Sequence, residues 1–221
     1  KLINGHVAEL VEKKVDYIFF PDLYTVPHPG SQSRQDYGCA YMQLAFKMVR
    51  RAMELENLGV KLLSPTIAFS LGQEFMMKVF MDLGKKLGKG PEQIANALKK
   101  GMMAFNDFEK RVKENGTEVV RGLNPDEKAF VIISKTYGVA DPTLNMGIPD
   151  KLMEMGYQVI SFYDLPEGDI SEEHPNMYWP FGQHILEAAQ VVKQHPNLYA
   201  IFLTHHGCGP DTVFTHYFKE I

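Results

Sequence analysis

Cysteine is almost absent from this chain: two residues among 221, Cys39 and Cys208, against twelve methionines. So few thiols exclude a disulfide framework and fit a reducing compartment, with the cytoplasm as the expected location. Long apolar runs are missing too. No stretch approaches the roughly eighteen residues that a membrane helix requires, and "YIFFPDLYTV" is interrupted by Pro21 and Asp22. An excess of one charge is also lacking. The 23 basic and 27 acidic residues leave a formal net charge of -4, with no block of like charges, so neither nucleic acid nor a membrane surface is an expected partner. No initiator methionine or signal region stands before Lys1, and the chain is expected to be cut from a longer protein.

What is present is an apolar content of 45%, enough for one sizeable core or two smaller ones. "GHVAELVEKK" sets Val7, Leu10 and Val11 on one helical face, and "VDYIFF" follows as a buried strand. Residues 21–38, rich in proline, glycine and serine, read as a loop. "AYMQLAFKMVRRAMELENLG" resumes helical spacing, and "VKLLS" reads as a second strand. From residue 72 to 115 the pattern is helical. Phe75, Val79, Phe80 and Leu83, then Ile94, Leu98, Phe105, Phe108 and Val112, form the expected core face of a helical core or cap. "GTEVVRGLNPDE" reads as a linker. Beyond it "AFVIIS", "YQVISF" and "LYAIFL" alternate with helical segments, the signature of βαβ units on a parallel sheet. The expected fold is therefore α/β, with two Rossmann-like parallel-sheet units and a helical segment between them. Residues 1–70 form the unit carrying Cys39, 71–122 the helical segment and 123–221 the unit carrying Cys208.

Both cysteines fall just beyond a strand and before a helix, the position at which open α/β sheets place their ligands. Gly207 and Gly209 flank Cys208, and His205 and His206 precede it. The glycines permit close backbone approach, and the following helix aims free N–H groups at the sulfur, a setting that suits a thiolate. Such a group can be a nucleophile, a redox thiol or a metal ligand. Matching positions at strand ends allow Cys39 and Cys208 to meet in a cleft between the two units. Zinc fits poorly, since no CxxC or HxxxH spacing occurs. A Cys–His nucleophile would need His205 or His206 as base. "GKKLGKGPE" lacks the order of a phosphate loop, "LPEGDISEEHP" lacks the spacing of a calcium loop and reads as a solvated turn, and His174, His184 and His195 read as packed or solvated.

Several segments, taken together and in order, resemble the CoA-substrate-specific enzyme activases, relatives of the activators of 2-hydroxyacyl-CoA dehydratases. They are "KLINGHVAELVEKKVDYIFFP", "CAYMQ", "DPTLNMGIPDKLMEMGYQVISFYDLP" and "NMYWPFGQHILEAAQVVKQHPNLYAIFLTHHGCGPDTVF". The resemblance implies a region downstream of ATPase domains, similar to the dehydratase subunits that hold a four-iron cluster with three cysteines. It maps two of those positions to Cys39 and Cys208, with His205, His206, Gly207 and Gly209 around the second, and places the third just upstream of Lys1. It implies a 4Fe–4S cluster in the full-length protein and none in this chain alone. The implied partners are the ATPase domains and an acyl-CoA, and the implied role is electron transfer. A scaffold without a cluster, docking the ATPase partner, is the alternative; a thiol enzyme is a third. Two departures stand out: Ala40 follows Cys39 where relatives usually carry proline, and "SKTY" at 134–137 replaces a common "GRPY", which weakens any ligand role for that loop.

Overall fold

A computed structural model describes residues 2–26, 28, 36–166 and 168–221. Helix accounts for 57% of the chain and strand for 13%, so the sheets are small and the helices supply most of the packing surface. The chain divides into two compact units, Lys1–Pro29 with Arg34–Lys99, and Gly30–Ser33 with Lys100–Ile221. Among the described residues no helix is long and apolar enough to cross a membrane.

The first unit begins with α1 (Leu2–Glu12), which buries Val7, and continues through β1 (Tyr17–Phe19), β2 (Asp22–Thr25) and α2 (Ala40–Ala52) to β3 (Lys61–Leu63) and β4 (Thr66–Ala68). Strand β1 pairs with β3, and β2 with β4, both in parallel. Val7, Ile18, Val49 and Leu55 form the core of this unit. Two sequence expectations need correction. "VDYIFF" is not a fully buried strand, for only Ile18 of β1 is buried while Tyr17 and Phe19 are exposed. The stretch read as a loop from residue 21 contains β2, and β4 was not foreseen. Pro21 and Pro65 stand just before these strands; proline at a strand's edge removes no ladder bond, and the Pro65 carbonyl accepts from Asp22 N at 3.0 Å.

Helix α3 (Gly72–Lys86) and α4 (Pro91–Gly122) follow. Gly84 lets them approach, since a Cβ there would collide with the Ile94 side chain. The proposed core face continues only in part. Ile94 is buried, but Phe105 and Phe108 are 58% and 56% exposed, and Met102 and Met103 are bare as well. Helical spacing reports which residues share a face but not whether that face is covered. Of the stretch read as a linker, 116–127, the first seven residues are instead the last two turns of α4, and only 123–127 lie outside helix and strand. Gly116 brings the helix backbone against Asp164, and Val119 and Val120 pack on the second unit's core.

That core rests on the three-stranded parallel sheet β6-β5-β7, built from β5 (Ala129–Ile133), β6 (Gln158–Ser161) and β7 (Leu198–Phe202). The short α5 (Thr136–Ala140) and α6 (Ile148–Glu154) connect β5 to β6, while α7 (Pro180–Gln194) connects β6 to β7, and α8 (Gly209–Glu220) closes the chain. Val131, Ile133 and Ile160 pack against Ile185, Ala188, Val191 and Val192 of α7. Ile170, Trp179, Leu186 and Phe214 form a second cluster, in which the α8 ring of Phe214 fills the space above Gly182. "LPEGDISEEHP" is thus anchored by buried Leu165 and Ile170, not merely solvated. The α/β fold with small parallel sheets and intervening helices stands as expected.

Ile185→Ala is expected to cost about 2–5 kcal/mol in urea unfolding, because its methyl groups leave a cavity under the sheet. Phe105→Ser should stay within about 0.5 kcal/mol, as the residue is 58% exposed and outside every core cluster of described residues.

Candidate functional site

Strands β5 and β7 are neighbours in parallel register, Ile133 opposite Phe202, so the loops leaving their carboxyl ends lie side by side. The β5 loop brings Ser134 and Lys135; the β7 loop brings His205 through Cys208 and the start of α8. Ser134 Oγ donates to the Leu203 carbonyl at 2.7 Å and ties the two loops together. Gly138 is a required small residue, because a Cβ there would strike Ser134 Oγ and the His205 ring.

At the centre is a buried ion pair. The Lys135 ammonium donates to Asp211 Oδ2, with 7% and 2% of the two side chains exposed. The same carboxylate oxygen accepts from His205 N at 3.0 Å. Lys135 Nζ also donates to Cys208 Sγ at 3.4 Å and stands 5.5 Å from the centre of the Tyr137 ring. Burial works against the lysine's charge, but the hydrogen bond and charge of Asp211 outweigh it, with Tyr137 and Cys208 adding, so its pKa lies above the ordinary lysine value. Burial likewise raises the Tyr137 phenol. His205 moves the other way: burial, then the Lys135 charge, lower its pKa despite Asp211. Both its ring nitrogens, and Asp211 Oδ1, are buried without a hydrogen-bond partner.

Cys208 caps the N-terminus of α8. Its N–H donates to the His205 carbonyl at 3.1 Å, and its own carbonyl accepts from Thr212 N at 3.3 Å. The thiol is free and half-buried. Gly207, at φ +79°, occupies the left-handed region that glycine alone adopts without strain; Gly209 is the first residue of the helix and meets no neighbour that would exclude a side chain. His206 is exposed. Of the two histidines only His205 joins the cluster, its ring 5.0 Å from that of Tyr137.

Cys39 takes the matching position in the first unit, as the N-cap of α2, and is likewise free and half-buried. Its carbonyl accepts from Met42 N at 2.8 Å and Gln43 N at 3.1 Å. The segment before it is strapped to β2 through Gly38 N to the Tyr24 carbonyl at 2.9 Å and a Thr25–Tyr37 bridge. Cys39 therefore follows β2, not the strand "VDYIFF".

Sequence reasoning missed Lys135, Asp211 and Tyr137. Lys135 and Tyr137 belong to "SKTY", whose departure from the common string had lowered the standing of that loop; it supplies the charge beside Cys208. A signal did exist, since Lys135 comes directly after the strand "AFVIIS" and Asp211 lies in the first turn after Cys208. Adjacent parallel strands bring such positions together.

A family model described as a CoA enzyme activase uncharacterised domain matches residues 1–165. No curated protein and no solved structure matches the chain.

Lys135→Met should destabilise the protein by about 3–5 kcal/mol, because it leaves the Asp211 carboxylate buried without its cation. Adding Asp211→Asn should return part of that loss. In a double-mutant cycle by urea unfolding, a coupling of about 1–3 kcal/mol is expected; additive costs would mean that the pair does not act as a pair.

Proposed function

This chain belongs to the CoA enzyme activase family, and from that premise we propose that it is the iron–sulfur, electron-transfer domain of a 2-hydroxyacyl-CoA dehydratase activase-like protein. It would support ATP-driven one-electron reduction of an acyl-CoA, with the ATPase domains as partners. Cys39 and Cys208 would supply thiolates to a 4Fe–4S cluster in the full-length protein. The observation that carries this reading is the hydrogen bond from the Lys135 ammonium to Cys208 Sγ, held by buried Asp211. A thiolate-bound iron centre is anionic, and hydrogen bonds to its sulfurs together with nearby charge set its potential. Both thiols also stand at helix N-termini, where backbone N–H groups and the helix dipole favour negative charge.

The thiols fit such a centre in kind but not in number. Each unit carries one cysteine, whereas clusters of this type are held by three or four thiolates. What the chain itself provides is a fixed cation, a partly buried cysteine beside it and a loop geometry held by the sheet. The docking-module alternative has one observation of its own, the bare apolar face of α4 around Phe105, with the ATPase domains as its occupant.

Iron and acid-labile sulfide, with an anaerobic visible spectrum, should be measured on the full-length protein. Stoichiometric iron and sulfide that fall in Cys39→Ser and in Cys208→Ser are expected. A colourless protein after anaerobic reconstitution, or serine variants that keep both the cluster and the coupled electron transfer, would overturn the reading; unchanged coupling without a cluster would favour docking.

A further inference from the structure

Lys135 Nζ lies 3.4 Å from Cys208 Sγ, and both groups are held there. The lysine is buried, with its ammonium bonded to Asp211, and that carboxylate is anchored by His205 N. The cysteine is fixed as a helix cap by backbone bonds on both sides. The residue is only partly buried, and oxidation requires its sulfur to be within reach of a small oxidant. An oxidised sulfur at this position has an amine as its nearest polar side-chain neighbour. Among the described residues, no side-chain amine donates a hydrogen bond to Cys39, in the other unit.

We propose that Lys135 and Cys208 form a site of reversible oxidative modification, in which peroxide joins them through a covalent sulfenamide bond whenever Cys208 is not bound to metal. Peroxide oxidises the thiol to a sulfenic acid and is itself reduced to water. Lys135 first releases one proton to solvent. The nitrogen lone pair then attacks the sulfenic sulfur, 3.4 Å away in the resting geometry; the N–S bond forms, the S–O bond breaks, and the departing hydroxide takes a second proton from the nitrogen and leaves as water. In sum, one thiol, one ammonium and one hydrogen peroxide give one sulfenamide, two waters and one proton. Sulfenic acids condense in this way with nitrogen nucleophiles, and a thiol reverses the bond, whereas sulfinic acid is not recovered by thiols. Asp211 has a further acceptor in its buried, unpartnered Oδ1. The modification would thus hold Cys208 at a recoverable oxidation level and lock the β5 loop to the start of α8. It goes beyond the electron-transfer reading and does not depend on it, since it concerns the metal-free thiol and is read by mass rather than by iron content.

The test uses the 221-residue chain carrying Cys39→Ser, in which Cys208 is the single thiol and an intramolecular disulfide cannot form. Treatment with hydrogen peroxide should lower the intact mass by two hydrogens, abolish thiol titration and yield one peptide joined at Lys135 and Cys208, all reversed by dithiothreitol. With Lys135→Arg, which keeps a cation beside the sulfur, the same treatment should instead add oxygens and stop at sulfinic acid. Cys208 gaining oxygens at the same rate with or without Lys135, or an intermolecular disulfide with the Lys135 amine still open to acylation, would overturn the proposal. Should the arginine variant fail to fold, the peptide map of the lysine-containing protein decides alone: a joined peptide supports the proposal and its absence refutes it.

Discussion

The parallel pairing of β5 with β7 is the constraint on which the candidate site depends. Register from Ala129–Leu198 to Ile133–Phe202 makes the two strands end together, so that Lys135 and the Cys208 cap are delivered to one place although 73 residues apart. Antiparallel neighbours would send these loops to opposite ends of the sheet. The apolar side chains beneath supply the energy that holds this register. Val131 and Ile133 are wholly buried, each worth about 1.5–3 kcal/mol of burial, and a one-residue slip would turn them to the other face. The site is thus positioned by the core, and its own polar contacts refine a geometry already set.

The ion pair is buried at a cost. Removing two charges from water costs several kcal/mol per ion, which mutual attraction repays only with good geometry and additional bonds. Here the additional bonds exist: Asp211 Oδ2 takes the ammonium and His205 N together, and the ammonium reaches Cys208 Sγ. A well-packed apolar pair would serve stability as well or better. What it would not do is fix a positive charge beside a particular sulfur.

Elements with long apolar runs were legible in the sequence. "AFVIIS", "YQVISF" and "LYAIFL" each became a strand of one parallel sheet, and both cysteines cap helices. Strands β2 and β4, of four and three residues, are too short for a periodicity to build, and their prolines resemble loop punctuation. Phe105 and Phe108 repeat at helical spacing whether or not anything covers them. The Lys135–Asp211 pair left only a positional mark, each residue just beyond a strand or at the start of a helix: an acidic residue in a first helical turn is ordinary capping chemistry, and a lysine after a strand is ordinary surface composition. Only the tertiary register converts these two commonplace residues into one buried pair.

That register also bears on where the domain ends. The family match stops at residue 165, inside the second unit, which continues to Ile221. Strand β5 is central, bonded to β6 on one side and β7 on the other. Without residues 166–221, the β7 edge of β5 would be unpaired, and Val131, Ile133 and Ile160 would lose Ile185, Ala188, Val191 and Val192. An open central strand with an uncovered apolar face is both unstable and prone to pairing with other chains. The matched region contains Cys39 and Lys135, while His205, Cys208 and Asp211 lie beyond it. In the second unit, therefore, the physical domain is larger than the matched one, and the lysine of the matched part has its buried carboxylate and its sulfur only when the remainder of the sheet is folded against it.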